Sequence, residues 1–230
     1  MRINGLNKTT LLDYPGHVAA VLFTGGCNFK CPFCHNRDLV LEPDSQPLIL
    51  EEEVFHFLKK RKGIITGVCI TGGEPTLQPD LQEFLTKVKE IGLKVKLDTN
   101  GYRPEIVKEI ISEGLVDYVA MDIKSCRTEY GTAAGRADMD VSKIEESLSC
   151  LLEGKVEYEF RTTVVKELHT EETMKEIGKW IYGCRAYYLQ SYEENENVIC
   201  RGFHAYTKEE LENLKRMVES YVKHVEIRGV

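Results

Sequence analysis

The sequence predicts an α/β fold built around a parallel sheet. Short apolar runs rich in β-branched residues alternate with longer amphipathic segments along the 230 residues, and this alternation is typical of repeated βα units. Two of the runs, VAAVLFT and VDYVAMDI, are apolar almost throughout, as expected of strands that are covered on both faces. Six such units are fewer than the eight of a closed barrel. The pattern therefore leaves two architectures open, a partial barrel and an open doubly wound sheet.

The strands are predicted where short apolar or β-branched runs stand between turn residues. Because a helical segment separates each pair of runs, the strands are expected to lie parallel. The predicted strands are residues 17–23, 67–71, 93–98, 118–123, 158–165 and 186–190, with a last one at 224–228.

The helices are predicted from apolar residues that recur every three or four positions. Leu81, Leu85 and Val88 belong to such a series, which gives a helix one buried face. Thr170 and Thr207 stand just before two other segments, where a hydroxyl group suits a helix start. The predicted helices are residues 51–60, 81–91, 104–113, 142–152, 171–182 and 208–221.

The composition indicates one soluble domain of ordinary size. Hydrophobic residues make up 42% and charged residues 29% of the chain, and no linker, repeat or low-complexity tract interrupts it. We expect a short N-terminal extension at residues 1–16, a core at about 17–191, and a C-terminal helix and strand at about 205–230.

Charge and hydropathy argue against two classes of partner. The formal net charge is −7, which disfavours nucleic acid and anionic membrane as main partners. The sequence shows no secretory signal and no apolar run near the roughly 18 to 20 residues of a membrane span. The protein is therefore predicted to be cytoplasmic.

Three of the eight cysteines crowd into eight residues. Cys27, Cys31 and Cys34 have the spacing C-x3-C-x2-C, which suits three corners of an iron–sulfur cubane. Structural cubanes generally use four cysteines, so the missing ligand predicts that a substrate or cofactor occupies the fourth iron. The alternative is a zinc site completed by His35 or a remote cysteine. His35 directly follows Cys34 and would be strained in reaching the same metal.

The other cysteines and two histidines receive ordinary structural interpretations. His169 and His204 are interpreted as surface or packing residues. The remaining cysteines are scattered and are interpreted as small buried hydrophobes; they are Cys69, Cys126, Cys150, Cys184 and Cys200.

Further polar clusters follow the next predicted strands, and in a parallel sheet such strand ends collect reactive groups. The second strand ends at Gly72-Gly73-Glu74. Paired glycines bring the backbone close to a ligand, and a carboxylate beside them accepts hydrogen bonds from an ammonium group. Taken alone, the same residues are an ordinary turn before a helix.

The third and fourth strands also end in polar side chains. Asp98 and Asn100 lie in the sequence DTNG, and Asp122 and Lys124 share one strand face because they are two positions apart. Each motif alone is also explained by a turn or a salt bridge. Together they predict a ligand with a free amine, a free carboxylate and a group that completes a cluster, such as an amino acid derivative.

This combination of motifs resembles a known family. The cysteine motif followed by GGEP, DTNG and an Asp-x-Lys strand is similar to the radical S-adenosylmethionine (SAM) activases of glycyl radical enzymes. The segments GLNKTTLLDYPG and TGGCNFKCPFCHN further resemble the branch of anaerobic ribonucleoside-triphosphate reductase activating proteins. The resemblance covers about residues 6–190 and implies a partial (β/α)6 barrel of the radical SAM type.

The resemblance implies a role for each matching residue. Cys27, Cys31 and Cys34 would ligate one [4Fe–4S] cluster, and Lys124 is implied as a further catalytic residue. Phe33 would lie against the adenine of SAM. The residues implied to bind SAM are Phe33, His35, Asn36, Gly72, Gly73, Glu74, Asp98, Asn100, Asp122, Lys124, Arg161 and Gln190. Among these, the Asp98 and Asn100 positions are also implied to lie near a monovalent cation.

The resemblance also implies an activity and two protein partners. Such an enzyme cleaves SAM reductively into methionine and a 5′-deoxyadenosyl radical, which removes a hydrogen from a backbone glycine of a partner enzyme. The implied partners are the large subunit of anaerobic ribonucleotide reductase and a flavodoxin or ferredoxin as reductant. The alternatives are a radical SAM enzyme acting on another glycyl radical enzyme, a small molecule or a peptide, and, more remotely, a non-enzymatic zinc module.

One position departs from the pattern of a related activase. The pyruvate formate-lyase activase has a histidine shortly after its last core strand, whereas residues 189–193 of this chain contain none. Gln190 would take that position. The departure weakens the assignment of pyruvate formate-lyase as the partner.

Overall fold

The computed structural model describes residues 1–230 and contains one eight-stranded sheet. The strands follow one another across the sheet in chain order, from β1 to β8. Their bounds are β1 Ile3–Thr10, β2 Ala19–Thr24, β3 Gly67–Gly72, β4 Lys94–Thr99, β5 Tyr118–Asp122, β6 Glu157–Val164, β7 Tyr187–Ser191 and β8 Val225–Arg228. Every neighbouring pair from β2 to β8 is parallel. Because β1 and β8 do not pair, the sheet is not closed, and the predicted α/β partial barrel is confirmed.

The first strand lies where no strand was predicted. Residues 1–16 were expected to form an extension, but Ile3–Thr10 pairs antiparallel with β2. Its sequence, INGLNKTT, is largely polar and its middle is exposed, so it lacks the apolar run by which buried strands are found. Ile3 is fully buried, and it fixes the start of β1 opposite Thr24.

Eight helices surround the sheet. They are α1 Arg37–Leu41, α2 Glu51–Lys60, α3 Leu81–Ile91, α4 Pro104–Ser112, α5 Tyr130–Ala134, α6 Val141–Leu152, α7 Glu171–Trp180 and α8 Lys208–Val218. The six predicted helices are confirmed with ends shifted by at most three residues. Thr170 and Thr207 cap α7 and α8 through their hydroxyl groups, as predicted. The two short helices, α1 and α5, were not predicted.

The two faces of the sheet differ in chemistry. Alternate residues such as Val95, Leu97 and Val119 belong to one hydrophobic core of 51 buried residues. The residues between them, including Lys96 and Asp98, face the inside of the partial barrel, where Lys96 pairs with Asp98 and Asp98 contacts Arg161 on β6. Because strand side chains alternate between faces, the interior of the barrel is polar while its outer layer is apolar. No helix is long and apolar enough to cross a bilayer.

The five remaining cysteines divide by exposure. Cys69, Cys126 and Cys184 are buried free thiols, as expected of small hydrophobes. Cys150 is half-buried and Cys200 is exposed, so the packing interpretation is wrong for Cys200.

Candidate active site

The three clustered cysteines lie in the loop that follows β2 and face one cavity of about 290 Å³. Burial raises the pKa of Cys27 to about 12 and that of Cys31 to about 11. Burial also raises the pKa of Cys34. All three thiols are therefore protonated at neutral pH until a metal displaces the protons, because a coordinating thiol is deprotonated outright.

Neighbouring segments fix the backbone of this cysteine loop. The backbone N–H of Lys30 donates to the carbonyl of Ala134 at the end of α5 (3.0 Å), and that of Ile199 donates to the carbonyl of Cys34 (3.1 Å). Gly135 has a φ of +61°, and a Cβ at this position would lie 2.1 Å from the Lys30 carbonyl oxygen. The loop is therefore held from two sides, by α5 and by the segment that follows β7.

The donor set of this cavity fits an iron–sulfur cluster. Its lining contains three thiols and no fourth cysteine, which leaves one iron of a cubane to another ligand. No three His, Cys, Asp or Glu side chains converge closely enough to hold a single metal ion. The His35 Nε2 atom lies 2.7 Å from the Glu193 carbonyl oxygen, and its ring lies beside Tyr192. His35 is therefore not placed to complete a zinc site with the three cysteines.

Two glycines at the end of β3 are needed because the backbone there touches the cysteine loop and its start. A Cβ on Gly73 would lie 2.0 Å from the Gly26 carbonyl oxygen, and a Cβ on Gly72 would lie 2.4 Å from the Thr24 backbone nitrogen. The backbone N–H of Glu74 also donates to the carbonyl of Gly26 (2.8 Å). These glycines therefore allow two backbone segments to touch, which brings the GGEP turn against the cysteine loop.

Glu74 is a buried carboxylate that joins the loops after β3 and β4. Its Oε1 atom accepts hydrogen bonds from the hydroxyl groups of Thr76 (2.6 Å) and Thr99 (2.7 Å), and its Oε2 atom accepts one from the backbone N–H of Asn100 (2.7 Å). Burial raises the pKa of Glu74, and these donors oppose that shift. Because Oε2 has one donor, it retains the capacity to accept a hydrogen bond from a ligand ammonium group.

A chain of five alternating charges begins in the cavity lining and ends at Lys96 outside it. Arg161 Nη1 lies 3.2 Å from Asp98 Oδ2, and Arg161 Nε lies 2.9 Å from Asp122 Oδ1. Lys124 Nζ lies 2.9 Å from Asp122 Oδ2, and Lys96 pairs with the other oxygen of Asp98. Within this chain three cations share two carboxylates, which suits a ligand carboxylate beside Lys124.

The ionisation of these groups follows from their neighbours. Burial alone would raise the pKa of Asp98, but Arg161 and Lys96 outweigh it and lower that pKa to about 2. Burial opposes the charge of Lys124 as well, yet Asp122 raises the pKa of the amine. Both carboxylates, Lys124 and Arg161 therefore stay charged at neutral pH. The sequence analysis missed Lys96, although its spacing of two from Asp98 repeats that of Asp122 and Lys124.

The implied monovalent cation near Asp98 and Asn100 stays a prediction. Asp98 and Asp122 are both bound to the Arg161 guanidinium group, whereas Asp13 and Glu74 also line the cavity. The side-chain amide of Asn100 donates to Asn28 Oδ1 (2.7 Å) and is directed toward the cysteine loop.

Most of the predicted site residues share this cavity. Asn36 and Gln190 line it, and the side-chain amide of Asn36 donates to the carbonyl of Gly72 (2.7 Å). Phe33 and His35 do not line it; the Phe33 ring is buried against His169. The predicted residues in the lining are Cys27, Cys31, Cys34, Asn36, Gly72, Gly73, Glu74, Asp98, Asn100, Asp122, Lys124, Arg161 and Gln190. Their roles toward SAM stay predictions.

Comparison with known proteins agrees with the fold. Residues 21–181 match the model of the Radical SAM superfamily, and the chain belongs to that superfamily. Membership implies a [4Fe–4S] cluster and SAM as cofactors. The protein named "Putative glycyl-radical enzyme activating enzyme" of Methanocaldococcus jannaschii is 32% identical over 99% of this chain and 96% of its own length.

Two further similarities cover longer proteins only in part. The pyruvate formate-lyase-activating enzyme of Clostridium pasteurianum is 35% identical over 54% of this chain and 52% of its own length. The structure of Streptococcus suis SuiB bound to S-adenosylmethionine has a TM-score of 0.70 at 16% identity, over 91% of this chain and 52% of SuiB. The similarity to SuiB shows the fold alone. This chain spans about half the length of each of the two proteins.

Proposed function

We propose that this protein is an activating enzyme that installs a glycyl radical on a partner enzyme, the large subunit of anaerobic ribonucleoside-triphosphate reductase. One observation carries the proposal: three thiols and a charge chain suited to an amino acid lie in the same cavity. Similarity over nearly the whole chain to a protein named as a glycyl-radical enzyme activating enzyme supports it. The choice of ribonucleotide reductase rests on the segments GLNKTTLLDYPG and TGGCNFKCPFCHN.

The residues of the cavity divide the binding of cluster and SAM among them. Cys27, Cys31 and Cys34 hold the cluster, which when bound supplies the electron that splits SAM into methionine and a 5′-deoxyadenosyl radical. Lys124 addresses the SAM carboxylate, and the free acceptor capacity of Glu74 Oε2 suits the SAM ammonium group. The protein thus contributes binding and orientation, and the enclosed position of these groups limits access of water to the reaction.

An external reductant and an open path for the partner are also required. We propose a flavodoxin or ferredoxin that docks beside the cysteine loop, where Lys30 is exposed. The unclosed sheet between β1 and β8 is consistent with entry of a glycine-bearing loop from another protein. The predicted cytoplasmic location and the absence of nucleic acid and membrane partners stay predictions.

The proposal is tested by electron paramagnetic resonance on the anaerobically reconstituted and reduced protein. We expect a cluster signal that changes when SAM is added, and a glycine-centred doublet when the reductase subunit is added. Cys31→Ala should give neither signal, while Cys200→Ala, at an exposed thiol outside the cavity, should give both. A SAM-sensitive cluster without a glycyl radical on that subunit would contradict the proposed partner, and pyruvate formate-lyase would be assayed next. Absence of any cluster would contradict the proposed activity itself.

A further inference from the structure

His169 lies in the loop between β6 and α7 and is completely buried. Its Nε2 atom lies 2.8 Å from the carbonyl oxygen of Lys124, and its Nδ1 atom lies 3.0 Å from the backbone nitrogen of Val165. A carbonyl oxygen only accepts and a backbone N–H only donates. The contact with the Lys124 carbonyl therefore places a proton on Nε2. Nδ1 also lies 3.3 Å from the Val165 carbonyl oxygen, but the shorter contact with the Val165 N–H assigns it a lone pair, which defines the neutral imidazole in a single tautomer.

The same ring also contacts the cysteine loop. The edge of the His169 ring packs against Phe33, with ring centroids 5.9 Å apart at an angle of 78°. Phe33 lies between Pro32 and Cys34 and is itself buried. One side chain thus touches the segment that carries Lys124 and the loop that carries the three cavity cysteines.

Further hydrogen bonds hold both His169 and the Lys124 segment in place. The Tyr206 hydroxyl donates to the carbonyl of His169 (2.8 Å). The hydroxyl of Thr162 donates to the carbonyl of Ile123, next to Lys124, over 2.7 Å. Two successive backbone carbonyls therefore accept hydrogen bonds from side chains: that of Ile123 from Thr162, and that of Lys124 from His169. Burial lowers the pKa of His169 to about 4, which keeps the ring neutral at physiological pH.

We propose that His169 is a positioning residue that sets the distance between the Lys124 amine and the cysteine loop, and thereby the affinity for SAM. The inference rests on the proposed function, since it assumes that Lys124 and the cluster bind the same SAM molecule. Its role is indirect: His169 does not line the cavity and acts through the Lys124 carbonyl and the Phe33 ring.

Three variants separate this role from simple packing. His169→Phe keeps an aromatic ring against Phe33 but removes both polar contacts, while His169→Gln keeps a donor that reaches toward the Lys124 carbonyl. His56→Gln is the matched control, because His56 is exposed on α2. SAM affinity is measured on the reconstituted proteins by equilibrium binding, together with the iron content of each protein and the change in cluster resonance on SAM addition.

We expect His169→Phe to bind SAM about tenfold more weakly at unchanged iron content, as is typical when a residue supporting a ligand is lost. His169→Gln should recover most of the affinity, and His56→Gln should match the wild type. Equal SAM affinity in the wild type and His169→Phe would overturn the inference, even if the variant were less thermostable. Equally weak binding by the Phe and Gln variants would overturn it as well.

A measurement on the cofactor-free wild type keeps the inference testable if a variant fails to fold. Long-range ¹H–¹⁵N correlation spectra report which ring nitrogen of His169 carries the proton. The structure requires the Nε2–H tautomer, and an Nδ1–H tautomer or a charged ring at neutral pH would overturn the role. Absence of SAM binding by the wild type would instead overturn the proposed function.

Discussion

Arg161 on β6 and Asp122 on β5 are register partners in the parallel sheet, and their side chains meet at 2.9 Å inside the barrel. The same guanidinium group reaches Asp98 on β4. One arginine therefore connects two buried carboxylates that belong to neighbouring strands.

Removal of this arginine should destabilise the protein strongly. Arg161→Ala leaves two buried carboxylates with incomplete pairing, which typically costs about 3–5 kcal/mol. The free energy of unfolding is measured by urea titration of the cofactor-free protein. Arg185→Ala is the control because its pair with Glu157 is largely exposed, and such exposed pairs contribute little to stability. Similar losses in the two variants would contradict a special role for Arg161.

Activity should not depend on the monovalent cation in the buffer. Arg161 pairs with both Asp98 and Asp122, so these two carboxylates are not free to bind sodium or potassium. The rate of SAM cleavage is compared in sodium, potassium and bulky organic cation buffers of equal ionic strength. We expect the same rate in all three, and a clear activation by one small cation would contradict this prediction.

Loss of the Lys124 amine should weaken SAM binding without loss of the cluster. Hydrogen bonds to charged groups contribute about 1.5–3 kcal/mol, so Lys124→Ala should bind SAM about 10- to 100-fold more weakly. Lys108→Ala, at an exposed pair with Glu146, should match the wild type. Titration of the cluster resonance with SAM measures the SAM affinity of both variants. Unchanged affinity in Lys124→Ala would remove this residue from the site.

A single methyl group at Gly73 should displace the cysteine loop. Gly73 does not have a positive φ, so alanine suits its backbone, but the new Cβ would lie 2.0 Å from the Gly26 carbonyl oxygen. We therefore expect Gly73→Ala to fold and to retain little iron after reconstitution. Circular dichroism checks the fold and iron analysis checks the cluster, and full iron content would contradict the proposed contact between the two loops.

Stability should fall in mild acid because of His169. The folded pKa is lowered to about 4 from the ordinary 6.5, so below about pH 6.5 the unfolded chain binds a proton that the folded protein excludes. Burial is the main cause, the nearby Lys124 charge adds to it, and the contacts with the Lys124 and Val165 backbone oppose it. This group should therefore reduce the free energy of unfolding by up to about 1.4 kcal/mol per unit between pH 6.5 and 4. The difference in unfolding free energy between the wild type and His169→Gln, measured across this pH range, isolates the contribution of His169. Parallel pH profiles of the two proteins would contradict the prediction.

The elements with a clear local signal were predictable from the sequence. Strands β2 to β8 lie in the short apolar or β-branched runs from which they were predicted. The cysteine motif is visible from its spacing. The cavity residues Asp98, Asp122 and Lys124 were found because parallel strands bring their carboxyl ends to one edge of the sheet. Thr207 was recognisable as a helix start because the capping hydroxyl acts within three residues of the helix.

Features that depend on distant neighbours were not predictable in the same way. His169 looks like any loop histidine until the fold places Lys124 and Phe33 against it. The contacts of the Phe33 ring with His169 and Phe203 likewise appear only in the fold, and its implied role at the adenine stays a prediction. The strand β1 is polar and is specified by its pairing with β2, which no local pattern reveals.

The bond between the Ile199 N–H and the Cys34 carbonyl has a consequence for the order in which the protein is assembled. It joins parts of the chain that leave the ribosome far apart in time, and contacts of such long sequence separation form late in folding. We therefore expect the cysteine loop to gain its final shape only after the chain has been synthesised as far as Ile199. Loading of iron and sulfide into this site is then expected to follow synthesis of that segment.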